Sequence, residues 1–181
     1  MTKGRNRSKE HKNNRNNWAT PIEVVEEIQD FLGIVGLPLM TLDVAASQAN
    51  AKCPLFYTAK ENALLLPWSD GKGGFYWGNP PFDQAEAFMQ KAHEELLQGR
   101  QGILLLPNNA ETIPFRRWIT DLNRPRLMWP KRISFLDEET GLPANGNTTG
   151  SWIVAFFREK SIKKLKATGN RLAGQPFIVN L

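Results

Sequence analysis

Apolar side chains spaced three or four residues apart follow the first tryptophan of the chain. They are Ile22, Val25, Ile28 and Leu32. This spacing predicts an amphipathic helix over 21–32, ended by Gly33. Thr20 and Glu23 have the spacing of a capping box, with Pro21 at the first helical position. The pattern therefore predicts a helix whose N-terminus is closed by its own side chains.

Short apolar runs alternate with further helical segments along the rest of the chain. Strands are predicted at 39–44, 75–77, 103–106, near 127–129, near 133–136, at 152–157 and at 177–179. Helices are predicted from Asp83 to Leu97, closed by Gly99, and over roughly 112–121. The run at 103–106 is continuously apolar, as is typical of a strand buried on both faces of a parallel sheet. We expect an α/β fold with a mostly parallel central sheet, and a surface loop over 141–151.

The first residues differ from this body. Residues 1–16 have almost no apolar side chains, so we expect a disordered basic arm followed by one domain over 17–181. Residues 1–15 hold six basic side chains against Glu10, which accounts for the whole net charge of +5. We expect the arm to add nonspecific affinity for nucleic acid.

Two more basic stretches, 116–132 and 158–171, lie within a body that is neutral overall. Clustered cations neutralise phosphates, although basic faces are also often only solubilising. In the first stretch the side chains that we expect to contact DNA are Arg116, Arg117, Lys131 and Arg132. DNA is therefore the predicted partner, and the oligomeric state stays open.

Composition excludes several other classes of protein. The single cysteine, Cys53, rules out a disulfide framework or a cysteine-based zinc site. No metal-ligand spacing is present, so no metal is predicted. No apolar run reaches the roughly 18 residues that a membrane span needs. We expect a soluble cytoplasmic protein.

The tetrapeptide Asn79-Pro80-Pro81-Phe82 carries the candidate chemistry. It follows an apolar strand and precedes a predicted helix, which places it at the carboxyl edge of the sheet, where α/β folds hold their ligands. Two successive prolines make a stiff, extended turn and leave carbonyls free to accept hydrogen bonds. An ordinary strand-to-helix turn has the same appearance.

This turn has the groups needed to methylate an aromatic amine. The lone pair of such an amine is delocalised into the ring, so two acceptors must hold its N–H bonds and favour a pyramidal nitrogen. The Asn79 side-chain oxygen and the Pro80 carbonyl can be those acceptors, and the Phe82 ring can stack on the base. Catalysis is then by positioning and electrostatics, after the base has been flipped out of the duplex.

Several segments in a fixed order add to this motif. They are Trp18-Ala19-Thr20-Pro21, Leu42-Asp43-Val44-Ala45-Ala46-Ser47 with Asn50-Ala51-Lys52-Cys53, Phe56-Tyr57-Thr58, Asn62-Ala63-Leu64 with Trp68, Asn79-Pro80-Pro81-Phe82, Leu105-Leu106-Pro107, and Lys131-Arg132-Ile133-Ser134-Phe135. On these segments the chain resembles the phage-type DNA N6-adenine methyltransferases related to Dam, which are S-adenosylmethionine enzymes of Rossmann-like fold. The resemblance covers roughly residues 17–157.

The resemblance implies a cofactor site for S-adenosylmethionine. Thr20 and Pro21 would line its methionine end, with Trp18 beside them. Asp43 would accept from its amine or ribose hydroxyls, and the small side chains of Ala45 and Ala46 would let the backbone approach it. Asn62 stands where the family usually has an acidic residue, followed by Leu64 two positions on, and both would contact the cofactor.

Three other functions remain open. The same turn occurs in methyltransferases that act on ribosomal RNA or on protein glutamine, because both substrates present a planar nitrogen. Cytosine N4 methylation is a second alternative, although Ser or Asp is more usual at the first motif position. A DNA-binding relative that has lost its cofactor is the third.

Overall fold

A computed structural model describes residues 18–169 and 171–179. The predicted basic arm, 1–16, lies outside these residues. The strands are β1 (Trp18–Ala19), β2 (Met40–Asp43), β3 (Leu55–Phe56), β4 (Phe75–Gly78), β5 (Gly102–Pro107), β6 (Arg126–Met128), β7 (Leu136–Asp137), β8 (Ser151–Phe156), β9 (Arg171–Leu172) and β10 (Gln175–Pro176). The helices are α1 (Ile22–Val35), α2 (Ala85–Leu97), α3 (Ile113–Phe115), which continues as a π-helical segment Arg116–Thr120, and α4 (Glu159–Ala167). Two 3₁₀ turns, Ala63–Leu65 and Phe82–Gln84, complete the regular structure of the described residues.

The central sheet has the strand order β3-β2-β4-β5-β8-β6. The four strands from β3 to β5 are parallel, whereas β8 runs antiparallel to both of its neighbours. The expectation of a mostly parallel sheet is therefore corrected to a mixed α/β sheet. The antiparallel step arises because β8 returns alongside β5 over six paired residues, from Gly102↔Phe156 to Pro107↔Ser151.

Alternation along the central strands builds one core on each face of the sheet. In β5, Ile103 and Leu105 join a cluster with α1 and α4, whereas Leu104 and Leu106 join a cluster with α2 and α3. This period of two is that of an extended strand, and both faces are apolar because helices cover both. The continuous apolar run was thus correctly interpreted as a strand buried on two sides.

The strand order reverses direction beside β2. The chain passes from β2 to β3 on one side and then crosses back to β4 on the other side of β2. In open α/β sheets such a switch point forms a crevice at the carboxyl ends of the two strands, and ligands bind there. Asp43 ends β2, and Asn79 directly follows β4, so both lie at this crevice.

The ends of α1 differ from the prediction. The helix begins at Ile22 with Pro21 as the N-cap, and no side chain makes a capping hydrogen bond, so the predicted Thr20–Glu23 box is wrong. Gly33 lies inside the helix, which ends at Gly36 in the left-handed conformation (φ 68°). The three further residues include Val35, which is buried in the core and so stabilises the added turn.

Other elements agree only in part with the prediction from sequence. Helix α2 ends as predicted, but its N-cap is Gln84, after the 3₁₀ turn. The strand predicted near 133–136 is instead the two-residue strand Leu136–Asp137, which overlaps the prediction at one residue. The strand predicted at 177–179 is reduced to one bridge, Arg126↔Ile178, because the neighbouring residues 171–176 form their own hairpin.

Candidate active site

Gly78 is covered by side chains from the neighbouring strands immediately before the motif. A Cβ added to Gly78 would lie 2.8 Å from Val44 Cγ2 and 3.0 Å from Leu104 Cδ2. These two side chains therefore leave no room for a side chain at this position. The fit fixes Asn79 beside the carboxyl end of β2, where the Val44 amide donates to the Trp77 carbonyl at 2.8 Å.

Asn79 is tied to the start of the described chain. Its Nδ2 donates to the Trp18 carbonyl at 3.0 Å, across 61 residues of sequence. One of the two N–H groups of the amide is thereby engaged, which orients the side chain and leaves its oxygen, an acceptor, for a ligand. The next two residues are held as well, because Pro80 is buried and the Pro81 carbonyl accepts from the Gln84 amide at 3.0 Å.

Three aromatic rings surround this amide. Trp18 stacks on Phe135 with ring centroids 5.4 Å apart, and meets Phe82 edge-to-face at 5.9 Å. Trp18 is almost fully buried, which is typical of a packing residue, and β1 pairs with β7 to hold it in place. Phe82 is only half-buried and keeps part of its ring accessible beside Asn79.

Thr20 has a buried hydroxyl group that makes no hydrogen bond within the described part of the chain. The residue is 2% exposed, and its Oγ1 is buried with no hydrogen-bond partner among the described residues. A buried hydroxyl left unpaired costs about 1–3 kcal/mol, so such an atom in a native fold calls for a ligand or water. Pro21, next to it, is half-buried.

Asp43 organises the loop that follows β2. One carboxylate oxygen accepts from the Ala45 amide at 3.1 Å and the other from the Lys52 amide at 3.0 Å. Burial raises the pKa of Asp43 to about 6, against the lowering effect of these two amides and of the Lys52 charge. The carboxylate thus has a structural use in addition to the role that the sequence suggested.

The remaining predicted cofactor residues lie along the same sheet edge. Ala45 and Ala46 are half-buried, and the Ala46 amide bonds the Tyr57 carbonyl, which joins the loop after β2 to the loop after β3. Asn62 is exposed in the left-handed region (φ 55°) and opens the 3₁₀ turn that contains the half-buried Leu64. Trp68 is 1% exposed and packs in the core.

Two openings flank the motif. The first is a recess of about 10 Å³ between Asn79, Phe82 and the segment Asn147–Ser151, with room for a single water. The second is a cleft of about 240 Å³ between the start of α2 and α3, lined by Phe82, Pro107 and neighbouring residues. A base can reach Asn79 by way of the recess only if the recess widens.

Comparison with known proteins decides the family. The model of the family described as "DNA N-6-adenine-methyltransferase (Dam)" matches residues 7–173. The chain belongs to the DNA N-6-adenine-methyltransferase (Dam) family.

Two relatives of the chain come from phages. The "DNA N-6-adenine-methyltransferase" of Escherichia phage T1 is 30% identical over 163 residues, which are 80% of this chain and 63% of the relative. The "DNA N-6-adenine-methyltransferase" of Haemophilus phage HP1 (strain HP1c1) is 25% identical over 163 residues, 90% of each chain. The chain thus spans less than two thirds of the phage T1 relative and most of the phage HP1 relative.

The four cations predicted to contact DNA are all exposed in this Dam-family chain. Lys131 and Arg132 follow β6, which is parallel to β5, so they leave the sheet at the same edge as Asn79. Arg116 and Arg117 lie within the helical segment that begins after the carboxyl end of β5, and Arg117 Nη1 is 3.8 Å from Glu86 Oε1.

His93 is half-buried and is held by two neighbouring side chains. Its Nδ1 lies 2.7 Å from Arg124 Nη2, and its ring is 5.5 Å from that of Trp118. Arginine can only donate, so Nδ1 accepts and the ring is neutral. Burial lowers the pKa of His93, and the Arg124 charge lowers it further.

Two further observations bear on chemistry at other positions. Burial raises the pKa of Cys53 to about 12, and the Asp43 charge adds to this, so the thiol is inert. Within 18–169 and 171–179, no group of three or more His, Cys, Asp or Glu side chains is placed to hold a metal ion. Over the same ranges no helix is long and apolar enough to span a bilayer.

Sequence reasoning missed the side chains that hold the wall of the recess in place. Asn147, which lines the recess, donates to the Ile133 carbonyl at 2.8 Å, and Asn108, which follows β5, accepts from Trp152 Nε1 at 2.9 Å. The first bond holds the loop against the segment between β6 and β7, and the second joins the start of β8 to the residue after β5. The sequence marked 141–151 only as a loop, because its glycines and asparagines are typical of any turn.

Proposed function

We propose that the chain transfers a methyl group from S-adenosylmethionine to the N6 amine of an adenine flipped out of DNA. The observation that carries the proposal is Asn79, whose amide is oriented by the Trp18 carbonyl at the switch point of the sheet. The Dam-family match supports adenine as the acceptor. We also propose that residues 17–181 form one Rossmann-like domain, which the crossover between β3 and β4 supports, and that it acts in the cytoplasm.

Several groups on this chain fit the cofactor. The unpaired Thr20 hydroxyl fits a carboxylate or amine, and the buried Asp43 lies one strand from Asn79. The loop between Asp43 and Lys52 carries the small residues Ala45 and Ala46, so its backbone can approach a ligand closely. Pro21, Asn62, Leu64 and the Trp18 backbone complete the proposed contacts. When bound, S-adenosylmethionine supplies an electrophilic methyl group.

Asn79 and Pro80 would act on the amine itself. The Asn79 oxygen and the Pro80 carbonyl accept one N–H bond each, which favours a pyramidal nitrogen whose lone pair is localised and exposed to the methyl group. Pro81 stiffens the turn, and its own carbonyl is occupied by Gln84. The exposed part of Phe82 then stacks on the base, so no covalent intermediate is needed.

The test is transfer of labelled methyl from S-adenosylmethionine to unmethylated duplex DNA, with the product nucleosides separated. Label in N6-methyladenosine is expected, and sequencing the modified positions identifies the site. Label in N4-methylcytosine would correct the acceptor. Label only in total RNA or in protein would overturn the DNA assignment, and failure to bind the cofactor by calorimetry would indicate a silent relative.

Asn79→Ala tests the catalytic assignment in the same assay. Loss of one positioned hydrogen-bonding group should lower kcat on the order of 100-fold or more, with cofactor and DNA affinity changed little. Gln90→Ala is the matched control, because Gln90 is an exposed amide on α2 that bonds only Glu94 among the described residues. Turnover by Asn79→Ala close to that of Gln90→Ala would contradict the role of Asn79.

A further inference from the structure

A flipped adenine leaves a gap in the duplex, because its partner base loses its pairing hydrogen bonds and the two flanking bases lose a stacking neighbour. Proteins that distort DNA commonly insert an apolar side chain between the bases. The unstacking of one base step costs a few kcal/mol, and the inserted side chain occupies the space that opens. The proposed function therefore requires a filling residue close to Phe82, fixed in place and surrounded by cations. The inference below rests on that proposed function.

Ile113 has the necessary position. It is the first residue of α3 and is 70% exposed, although folding favours burial of an isoleucine by about 1.5–3 kcal/mol. Its two neighbours, Thr112 and Pro114, line the 240 Å³ cleft together with Phe82 and Pro107. The cleft is smaller than the about 300–1,000 Å³ of ordinary ligand pockets, so it suits a single base better than a whole cofactor.

The backbone at Ile113 is held firmly. The Thr112 hydroxyl donates to the Asn109 carbonyl at 2.7 Å and accepts from the Phe115 amide at 3.4 Å. Phe115 is 2% exposed and anchors the segment in the core beneath. Pro114 restricts the backbone next to Ile113. The side chain thus projects from a fixed support, as insertion into a base stack requires.

Cations lie one turn further along the same segment. Arg116 and Arg117 are exposed, and the ion pair between Arg117 and Glu86 is long and solvated, so it holds the guanidinium only weakly. Two guanidinium groups this close to an apolar side chain can bind the phosphates on either side of an opened step.

Two other exposed apolar side chains, Ile34 and Leu142, lack this combination. Ile34 lies in the last turn of α1, two residues before Gly36, whose carbonyl accepts from Lys164 of α4. That region adjoins the amino ends of the strands, on the edge opposite Asn79. Leu142 belongs to the 141–151 loop, and its amide bonds the Thr140 hydroxyl at 3.3 Å, but it lines neither opening beside the motif. We infer that Ile113 fills the space that the flipped adenine vacates.

The experiment compares Ile113→Ala with wild type on two duplexes that carry a site identified by the methylation assay. In one the target adenine is paired with thymine, and in the other it faces an abasic position and is already unpaired. With the paired duplex, the rate of Ile113→Ala should fall on the order of tenfold or more. With the unpaired target it should stay within about twofold of wild type. Ile113→Leu should retain most of the wild-type methylation rate on the paired duplex.

Ile34→Ala is the control for removal of an exposed isoleucine and should match wild type on both duplexes. Equal losses by Ile113→Ala on both duplexes would indicate damage to the fold or to the chemistry and would overturn the inference. An unchanged rate on the paired duplex would overturn it as well. If wild type itself methylates neither duplex, the proposed function fails, which is a different result.

Discussion

Asp43 affects both the stability of the fold and the conformation of the candidate cofactor site. Its burial favours the neutral acid, while the amides of Ala45 and Lys52 favour the carboxylate, and burial dominates because the pKa rises from 3.8 to about 6. The loop conformation that presents Ala45 and Ala46 therefore depends on a group that titrates near neutral pH.

This shift gives stability a definite pH dependence. Below the unfolded pKa of 3.8 the folded and unfolded chains are both protonated at Asp43, and the favourable contribution is complete. Between 3.8 and about 6 the unfolded chain releases the proton while the folded chain retains it, so rising pH favours unfolding. A gap of about two pKa units corresponds to ~3 kcal/mol in the free energy of unfolding.

Asp43→Asn tests this dependence by removing the titration. Urea unfolding measured from pH 4 to pH 7 should show wild type losing stability relative to Asp43→Asn, with the change complete just above pH 6. Asp30→Asn, at an exposed position of α1, is the control for removal of an acidic side chain. A difference between Asp43→Asn and wild type that stays constant over this pH range would contradict the buried titration.

At the scale of an element, α1 contains two glycines with opposite requirements. Gly33 lies within the helix, and an added Cβ would meet nothing within 4 Å. Gly36 ends the helix at φ 68°, a conformation that L side chains rarely adopt. The apolar spacing predicted the helix, but composition alone could not decide which glycine ends it.

Alanine at each position separates these two roles. Gly33→Ala should raise the free energy of unfolding by about 0.5–1 kcal/mol, because alanine has less backbone freedom to lose. Gly36→Ala should lower it by about 1 kcal/mol or more, because the left-handed conformation strains a residue with a Cβ. Thermal or urea unfolding measures both, and equal effects at the two positions would contradict the assigned helix end.

Elements with strong periodicity were predictable from sequence, and weak ones were not. Strands β2, β4, β5 and β8 and helix α2 stand out because both faces of each strand, or a full stripe of the helix, are apolar. Helix α4 was missed because Leu165 and Ser161 are its buried positions and lysines dominate the rest. Strand β3 has two residues, and the partly exposed Leu55 gives no alternation.

The candidate site likewise has features that the sequence predicts and features that it does not. The motif from Asn79 to Phe82 was recognisable because strand, turn and helix are adjacent in sequence. Its bond to Trp18 was not, because the partners are 61 residues apart and the acceptor is a backbone carbonyl common to every residue. The side chains of the 147–151 segment were missed for a similar reason, since their position depends on the contact with Ile133.

For the whole molecule, topology sorts the basic stretches onto opposite edges of the sheet. Lys131 and Arg132 leave the sheet at the carboxyl edge with Asn79. Helix α4 begins where the Arg158 amide and the Ser161 hydroxyl bond the Gln101 side chain, at the amino end of β5. The lysines of α4 therefore lie on the edge away from the site, although in sequence the two stretches look alike.

Salt dependence of DNA binding can distinguish the two edges. Each cation that neutralises a phosphate adds about 0.9 to the slope of log K against log salt concentration. Replacing Lys131 and Arg132 by Gln should make that slope shallower by roughly two. The same double replacement of Lys160 and Lys166 on α4 should leave it unchanged, because duplex DNA at the carboxyl edge does not reach the amino edge. Equal effects of both pairs would mean that DNA contacts both edges of the sheet, and a reversed result would place the duplex over α4 and away from Asn79.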